Sequence, residues 1–445
     1  MGRMDDTGAT LLAPSYASGR VDLPMIEETL GDVLDRVVRA HHDREALVDV
    51  PSGQRWSYGE LLVDVERVAR GLVASGIRTG DRVGIWSSNC AGWTLLQLAT
   101  AKLGVILVSI DPAYRADDLE RVLTQTGVRL LVVAGPVEGR DDPATVESVW
   151  ASCPDLAQLV VIGQESWAAL LHSASLVTRA RLQEIQQGLA ADDPVVVRYT
   201  SGRTGPPKGA TLSHRNIVNN GFFVGEGCGY TEEDRICLTV PFSDCFGMVA
   251  GTLAAVTHGA SMVVPGPGVD PAEALRAVRD EGCTSLHGDP TMFAAALELI
   301  RRGGEFSTAD LATVRTGVVA GSACPPSVVR ALLDAGVREM TVCYGMTETS
   351  PVSTQTAPRD PLEKKVGTVG RVGPHLELKI VDPVRREVVP RGTPGELLVR
   401  GYSVMIGYWG QPDETAEVIH DGWMSTGDLG MMDEDGFVRL SRTAG

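Results

Sequence analysis

The sequence is short of positive charge: 40 Lys and Arg stand against 57 Asp and Glu, a formal charge of -17 over 445 residues. Such a surface repels nucleic-acid phosphates and anionic lipid heads, which argues against a polynucleotide or membrane-surface partner. Any phosphate ligand must then be held locally, by backbone amides and a few placed cations. Closely spaced cysteines are missing. The eight present, Cys90, Cys153, Cys228, Cys237, Cys245, Cys283, Cys324 and Cys343, form no close pair, and only Cys283 has a histidine nearby, His287. Neither a disulfide framework nor a Cys/His metal centre is expected, and the thiols read as reduced. No apolar run is long enough to span a bilayer, since residues 95–110 are interrupted by Gln97 and Lys102. The first residues carry Asp5 and Asp6 where a secretory signal places basic residues, so no export signal is read and the cytoplasm is the expected compartment. Tandem repeats and low-complexity tracts are also absent.

Hydrophobic residues make up 43% of the chain and charged residues 22%, enough to bury a sizeable core. At roughly 150 residues per unit, the length predicts about three compact units. Leu61, Leu62, Val65, Val68, Ala69 and Leu72 recur at helical spacing behind a capping box of Ser57 and Glu60. Strand-like runs at residues 83–86, 105–108, 130–133, 159–162 and 262–264 alternate with helical stretches. That alternation predicts an α/β protein with two helix-covered, mainly parallel sheet subdomains over about residues 1–350. Such sheets bind ligands at their strands' carboxyl ends. From 351 to 440 the texture changes to short runs such as Leu376 to Val381 and Glu396 to Val399, which predicts a small antiparallel β-barrel subdomain.

Tyr199-Thr200-Ser201-Gly202-Arg203-Thr204-Gly205-Pro206-Pro207-Lys208-Gly209 follows the apolar run Val195 to Val197 and precedes a helix that Ser213 can cap. Its glycines let amides turn inward, Thr200, Ser201 and Thr204 add hydroxyl donors, and Lys208 adds charge. Strand, loop and helix in that order predict a phosphate site. It is not a Walker loop, which needs Ser or Thr directly after Gly-Lys.

These residues, with Cys343-Tyr344-Gly345-Met346-Thr347-Glu348-Thr349 and Thr426-Gly427-Asp428-Leu429, resemble in order the three signatures of the adenylate-forming superfamily of acyl-CoA synthetases, luciferases and peptide-synthetase adenylation domains. Weaker echoes from Trp56-Ser57-Tyr58 to Gly407-Tyr408-Trp409 extend the likeness over almost the whole chain. The resemblance implies attack of a carboxylate on the α-phosphate of ATP, giving acyl-adenylate, and then thiolate attack by coenzyme A. It implies that Glu348 holds Mg²⁺ and that Thr347 donates to the α-phosphate. Thr200, Ser201, Gly202, Arg203, Thr204, Gly205 and Lys208 would cradle phosphates. Tyr344 would stack on adenine, facing Gly321, Ser322 and Ala323 with Gly345 close by, and Asp428 would accept from the ribose hydroxyls. Arg442 matches a ribose-side arginine only after a one-residue slip. The acyl pocket is expected around Asp244, Cys245, Phe246, His287 and Met346, mostly small or apolar, and suited to a fatty or bulky polycyclic acid. His287 reads as a pocket-wall or satisfied core residue rather than a catalyst.

Three departures from the family pattern stand out. Arg203 replaces a Thr or Ser of the phosphate loop, where a long side chain crowds the β- and γ-phosphates. Asp244 replaces a His, where an anion repels a free carboxylate or pairs with a substrate ammonium. Residues 441–445 lie where the family hinges into a C-terminal lid domain, so the chain reads as a trimmed N-terminal domain that binds nucleotide better than it turns over. The leading reading is an acyl-CoA synthetase. Two alternatives stay open: a ligase that takes preformed acyl-AMP from a separate adenylating enzyme and performs only thioesterification, and a binding-only scaffold.

Overall fold

The computed structural model describes residues 13–135, 142–200, 207–322 and 324–441. Three sheets organise them. A nine-stranded sheet carries parallel strands Glu45–Asp49, Ser261–Val264, Arg235–Leu238, Ser285–Gly288, Thr316–Val319 and Glu339–Tyr344, with antiparallel strands at both edges. A seven-stranded sheet is built on parallel strands Gln158–Val161, Leu130–Val133, Arg82–Trp86, Ile106–Ile110 and Pro194–Thr200. The third sheet, six-stranded and antiparallel, centres on Leu376–Val381, Gly395–Gly401 and Trp423–Met432. Two parallel sheets and a small antiparallel one are what the alternation of elements predicts.

Helices fill the space between the two large sheets. Helix Ala91–Leu103 has every residue buried, and with Tyr58–Ala74, Leu30–His41 and His214–Cys228 it joins both sheets in one apolar core. Local signals set the boundaries: Ser57 and Glu60 form the expected capping box, and Ser213 caps His214–Cys228 by accepting from the Asn216 amide. Among the described residues no helix is long and apolar enough to cross a membrane.

Some chain crosses between units. Tyr16–Ser18 joins the antiparallel sheet, Thr354–Gln355 and Arg371–Val372 extend the nine-stranded one, and Gly407–Tyr408 pairs with Lys208–Ser213 in the seven-stranded one. The last pairing corrects the strand, loop and helix order expected of the phosphate segment. Lys208–Ser213 is a strand antiparallel to Pro194–Thr200, so this second strand separates the loop from the helix. Val196, Ala210 and Leu212 on the paired strands are buried together, and that gain outweighs an immediate helix start.

Candidate active site

The parallel strands of the nine-stranded sheet end together. Val319 pairs with Val342 and with Gly288, which sets Tyr344, Gly321 and His287 at one edge of the sheet. Gly321 has φ +92, a conformation open to glycine but strained for other residues. Beyond Tyr344 the chain turns so tightly that a Cβ on Gly345 would lie 1.8 Å from the Pro351 carbonyl oxygen. The short helical turn Thr347–Thr349 follows and drives Glu348 inward.

Glu348 is only 4% exposed. Its Oε1 accepts from the Tyr408 hydroxyl at 2.9 Å. Burial pushes its carboxyl up, opposed by its own backbone amide, the Tyr408 hydrogen bond and the Lys208 charge. Lys208 lies over the Tyr408 ring, 5.0 Å from its centroid. Burial followed by the Glu348 charge pushes the Tyr408 phenol up, so it remains a donor. A desolvated carboxylate beside one lysine fits a hard divalent cation, since oxygen ligands suit Mg²⁺ and phosphate oxygens and water fill its remaining positions.

Tyr344 belongs to the core of the antiparallel sheet, against Leu378, Leu397, Val399 and Met432. Its hydroxyl donates to Asp428 Oδ2 at 2.8 Å, and the Asp428 amide donates to Thr426 Oγ1. Residues 84 apart in sequence thus share one wall. Gly345, which follows Tyr344, and Ser322 are exposed, and Met346 and Thr347 are half-buried.

The other wall is the loop before the π-helix Phe246–Leu253, whose eight residues are all buried. Cys245 is fully buried, faces the Thr347 side chain, and lies in the fields of Asp244, Arg198 and Glu348; burial pushes its thiol up. Asp244 is not a lone charge, as the sequence reading assumed. Arg198 Nη2 approaches its Oδ2 to 3.7 Å, and Asp244 Oδ1 accepts from the Phe246 amide at 2.8 Å. His287 has no exposed surface; its Nε2 meets the Tyr230 hydroxyl at 2.6 Å and its ring stacks on Phe246. Burial holds its pKa down at about 3, so it stays neutral. Thr200 closes the hairpin by donating to the Lys208 carbonyl. Ser201, Gly202, Arg203, Thr204, Gly205, Ala323 and Arg442 lie outside the described residues, and the crowding argument about Arg203 lies there with them.

Two site residues escaped the sequence reading. Tyr408 stands in one of the weaker echoes, and the aromatic pair Tyr408-Trp409 after a glycine is its signal. Arg198, a charged residue inside the apolar run Val195 to Tyr199, is the other signal.

Comparison with known proteins identifies the family. Residues 34–409 match the family described as AMP-binding enzyme. The chain is 38% identical over 453 residues to the medium-chain acyl-CoA ligase ACSF2, mitochondrial, of Danio rerio, covering 96% of this chain and 74% of that protein. In structure it is similar to the anthranilate CoA ligase AuaEII in complex with anthranoyl-AMP, with a TM-score of 0.83 at 25% identity over 94% of this chain and 77% of that one. Its fold is also that of a long-chain-fatty-acid-CoA ligase (FadD1) from Archaeoglobus fulgidus, with a TM-score of 0.86 at 21% identity over 96% of this chain and 87% of that one. The chain belongs to the AMP-binding enzyme family, in the acyl-CoA synthetase branch of the adenylate-forming superfamily.

Proposed function

We propose that the protein activates an apolar carboxylic acid, of medium-chain fatty type, as its acyl-adenylate and passes the acyl group to coenzyme A. The observation that carries this reading is the convergence of Tyr344, Asp428, Glu348, Tyr408 and Lys208, drawn from three sheets to the carboxyl ends of parallel strands. An aromatic ring beside a two-oxygen acceptor suits a nucleoside. Glu348 would hold Mg²⁺, which when bound offsets charge on the phosphates. Thr347 donates to the α-phosphate, and Lys208 with Thr200 faces the phosphate side. The buried apolar π-helix from Phe246 supports an apolar acyl chain, as does the name of the Danio rerio relative. That relative is called mitochondrial, so the cytoplasmic expectation is not carried forward.

Pairing of Asp244 with Arg198 removes one of the two arguments for a thioesterification-only enzyme. ATP-dependent pyrophosphate exchange with octanoate tests the full reading. Exchange that falls on the order of 100-fold in Glu348→Gln, about 2.7 kcal/mol of barrier, agrees with it. Coenzyme A thioester formed from synthetic octanoyl-AMP but never from octanoate and ATP would select the half-reaction. Product from neither would select the scaffold.

A further inference from the structure

Arg198 is a buried cation in an unusual place. It sits in strand Pro194–Thr200 with its side chain 8% exposed, while its neighbours Val197 and Tyr199 turn to the opposite face and join a core cluster. A buried guanidinium needs compensating charge and acceptors for its donors. Among the described residues the compensation is loose. Its Nη1 donates to the Tyr199 carbonyl, its Nε has no partner among the described residues, and its Nη2 lies 3.7 Å from both Asp111 Oδ2 and Asp244 Oδ2. Those two separations are within ion-pair range but beyond a good hydrogen bond. Tyr114 also faces the guanidinium.

The loop carrying Asp244 is fixed to the same sheet at other points. Asn89 bonds the Val240 carbonyl and the Phe242 amide, and Ser109 donates to the Ser243 carbonyl. Asp244 is therefore held at a set position, 48% exposed on its side chain, and adjoins Cys245, which contacts Thr347. An unopposed carboxylate there would repel an acid anion and attract an ammonium. Arg198, shared with Asp111, offsets part of that charge.

Resting on the acyl-adenylation reading above, we infer that Arg198 is a specificity-determining positioning residue. It acts through Asp244, offsetting that charge so that the site accepts an acid with a bare carboxylate and discriminates against one bearing an ammonium beside it.

The test compares calorimetric affinities of the whole chain, in the presence of AMP, for octanoate and 2-aminooctanoate. Wild type prefers octanoate. Arg198→Gln shifts the preference ratio at least 10-fold toward 2-aminooctanoate, Arg198→Lys holds it near wild type, and Arg198→Gln with Asp244→Asn abolishes the shift. Asp244→Asn alone, which leaves the buried arginine charged, moves the ratio the other way and serves if Arg198→Gln does not fold. Octyl-AMP, an ester with no carboxylate, reports the adenylate site separately: its failure to bind wild type counts against the proposed function, whatever the ratios. An unchanged ratio in Arg198→Gln or in Asp244→Asn, with octyl-AMP still bound, overturns the role of Arg198.

Discussion

Glu348 and Tyr408 show how much one contact decides. The carboxylate is nearly out of water, and among side chains of the described residues the Tyr408 hydroxyl is its hydrogen-bond donor. Removing that donor leaves the acceptor to bear more of its desolvation cost, so Tyr408→Phe is predicted to lower stability by about 1–3 kcal/mol, read by urea denaturation. Unchanged stability would mean that water replaces the hydroxyl freely. This pair also marks the limit of reading residues in order. Glu348, Tyr344 and Asp428 stand out in the sequence because each sits in a dense local signature whose residue types match an expected task. Tyr408 and Arg198 do not, because their meaning lies in partners 60 and 46 positions away.

Elements were legible where their causes are local. The Ser57 capping box, the helix behind it and the strand Leu130–Val133 follow from spacing and branched side chains. The strand Lys208–Ser213 does not, since only antiparallel pairing with Pro194–Thr200 and with Gly407–Tyr408 stabilises it. The turn after Tyr344 is a constraint of the same scale. A methyl group on Gly345 meets the Pro351 carbonyl oxygen, a backbone atom, at a distance no non-bonded pair tolerates. Gly345→Ala is therefore predicted to displace Thr347 and Glu348 and to weaken octyl-AMP binding at least 10-fold by calorimetry. An affinity equal to wild type would show that the turn relaxes without cost.

At the scale of the whole molecule, two buried histidines couple folding to pH. Burial holds His214 at about 4 and His287 at about 3, against an ordinary value of 6.5. The Leu30 amide donates to His214 Nδ1, which requires that nitrogen to be unprotonated. Both groups bind protons more readily in the unfolded chain. Their contribution is complete above pH 6.5 and is lost as pH falls toward the folded values, at about 1.4 kcal/mol per pH unit for each residue. His287→Gln should flatten the fall in unfolding free energy between pH 6 and 4 by about that slope, measured by urea titration at each pH. An unaltered slope would place the acid sensitivity elsewhere.

The formal charge of -17 also acts at this scale, and it confines any anionic ligand to the few cations placed at the sheet ends. The central claim is that the carboxyl ends of these strands form one nucleoside site. A crystal structure of the chain with octyl-AMP tests it most directly. Adenine lying against the Tyr344 ring, with both ribose hydroxyls on the Asp428 carboxylate, is the predicted result. Adenine bound away from Tyr344, or a ribose that leaves Asp428 untouched, would contradict it.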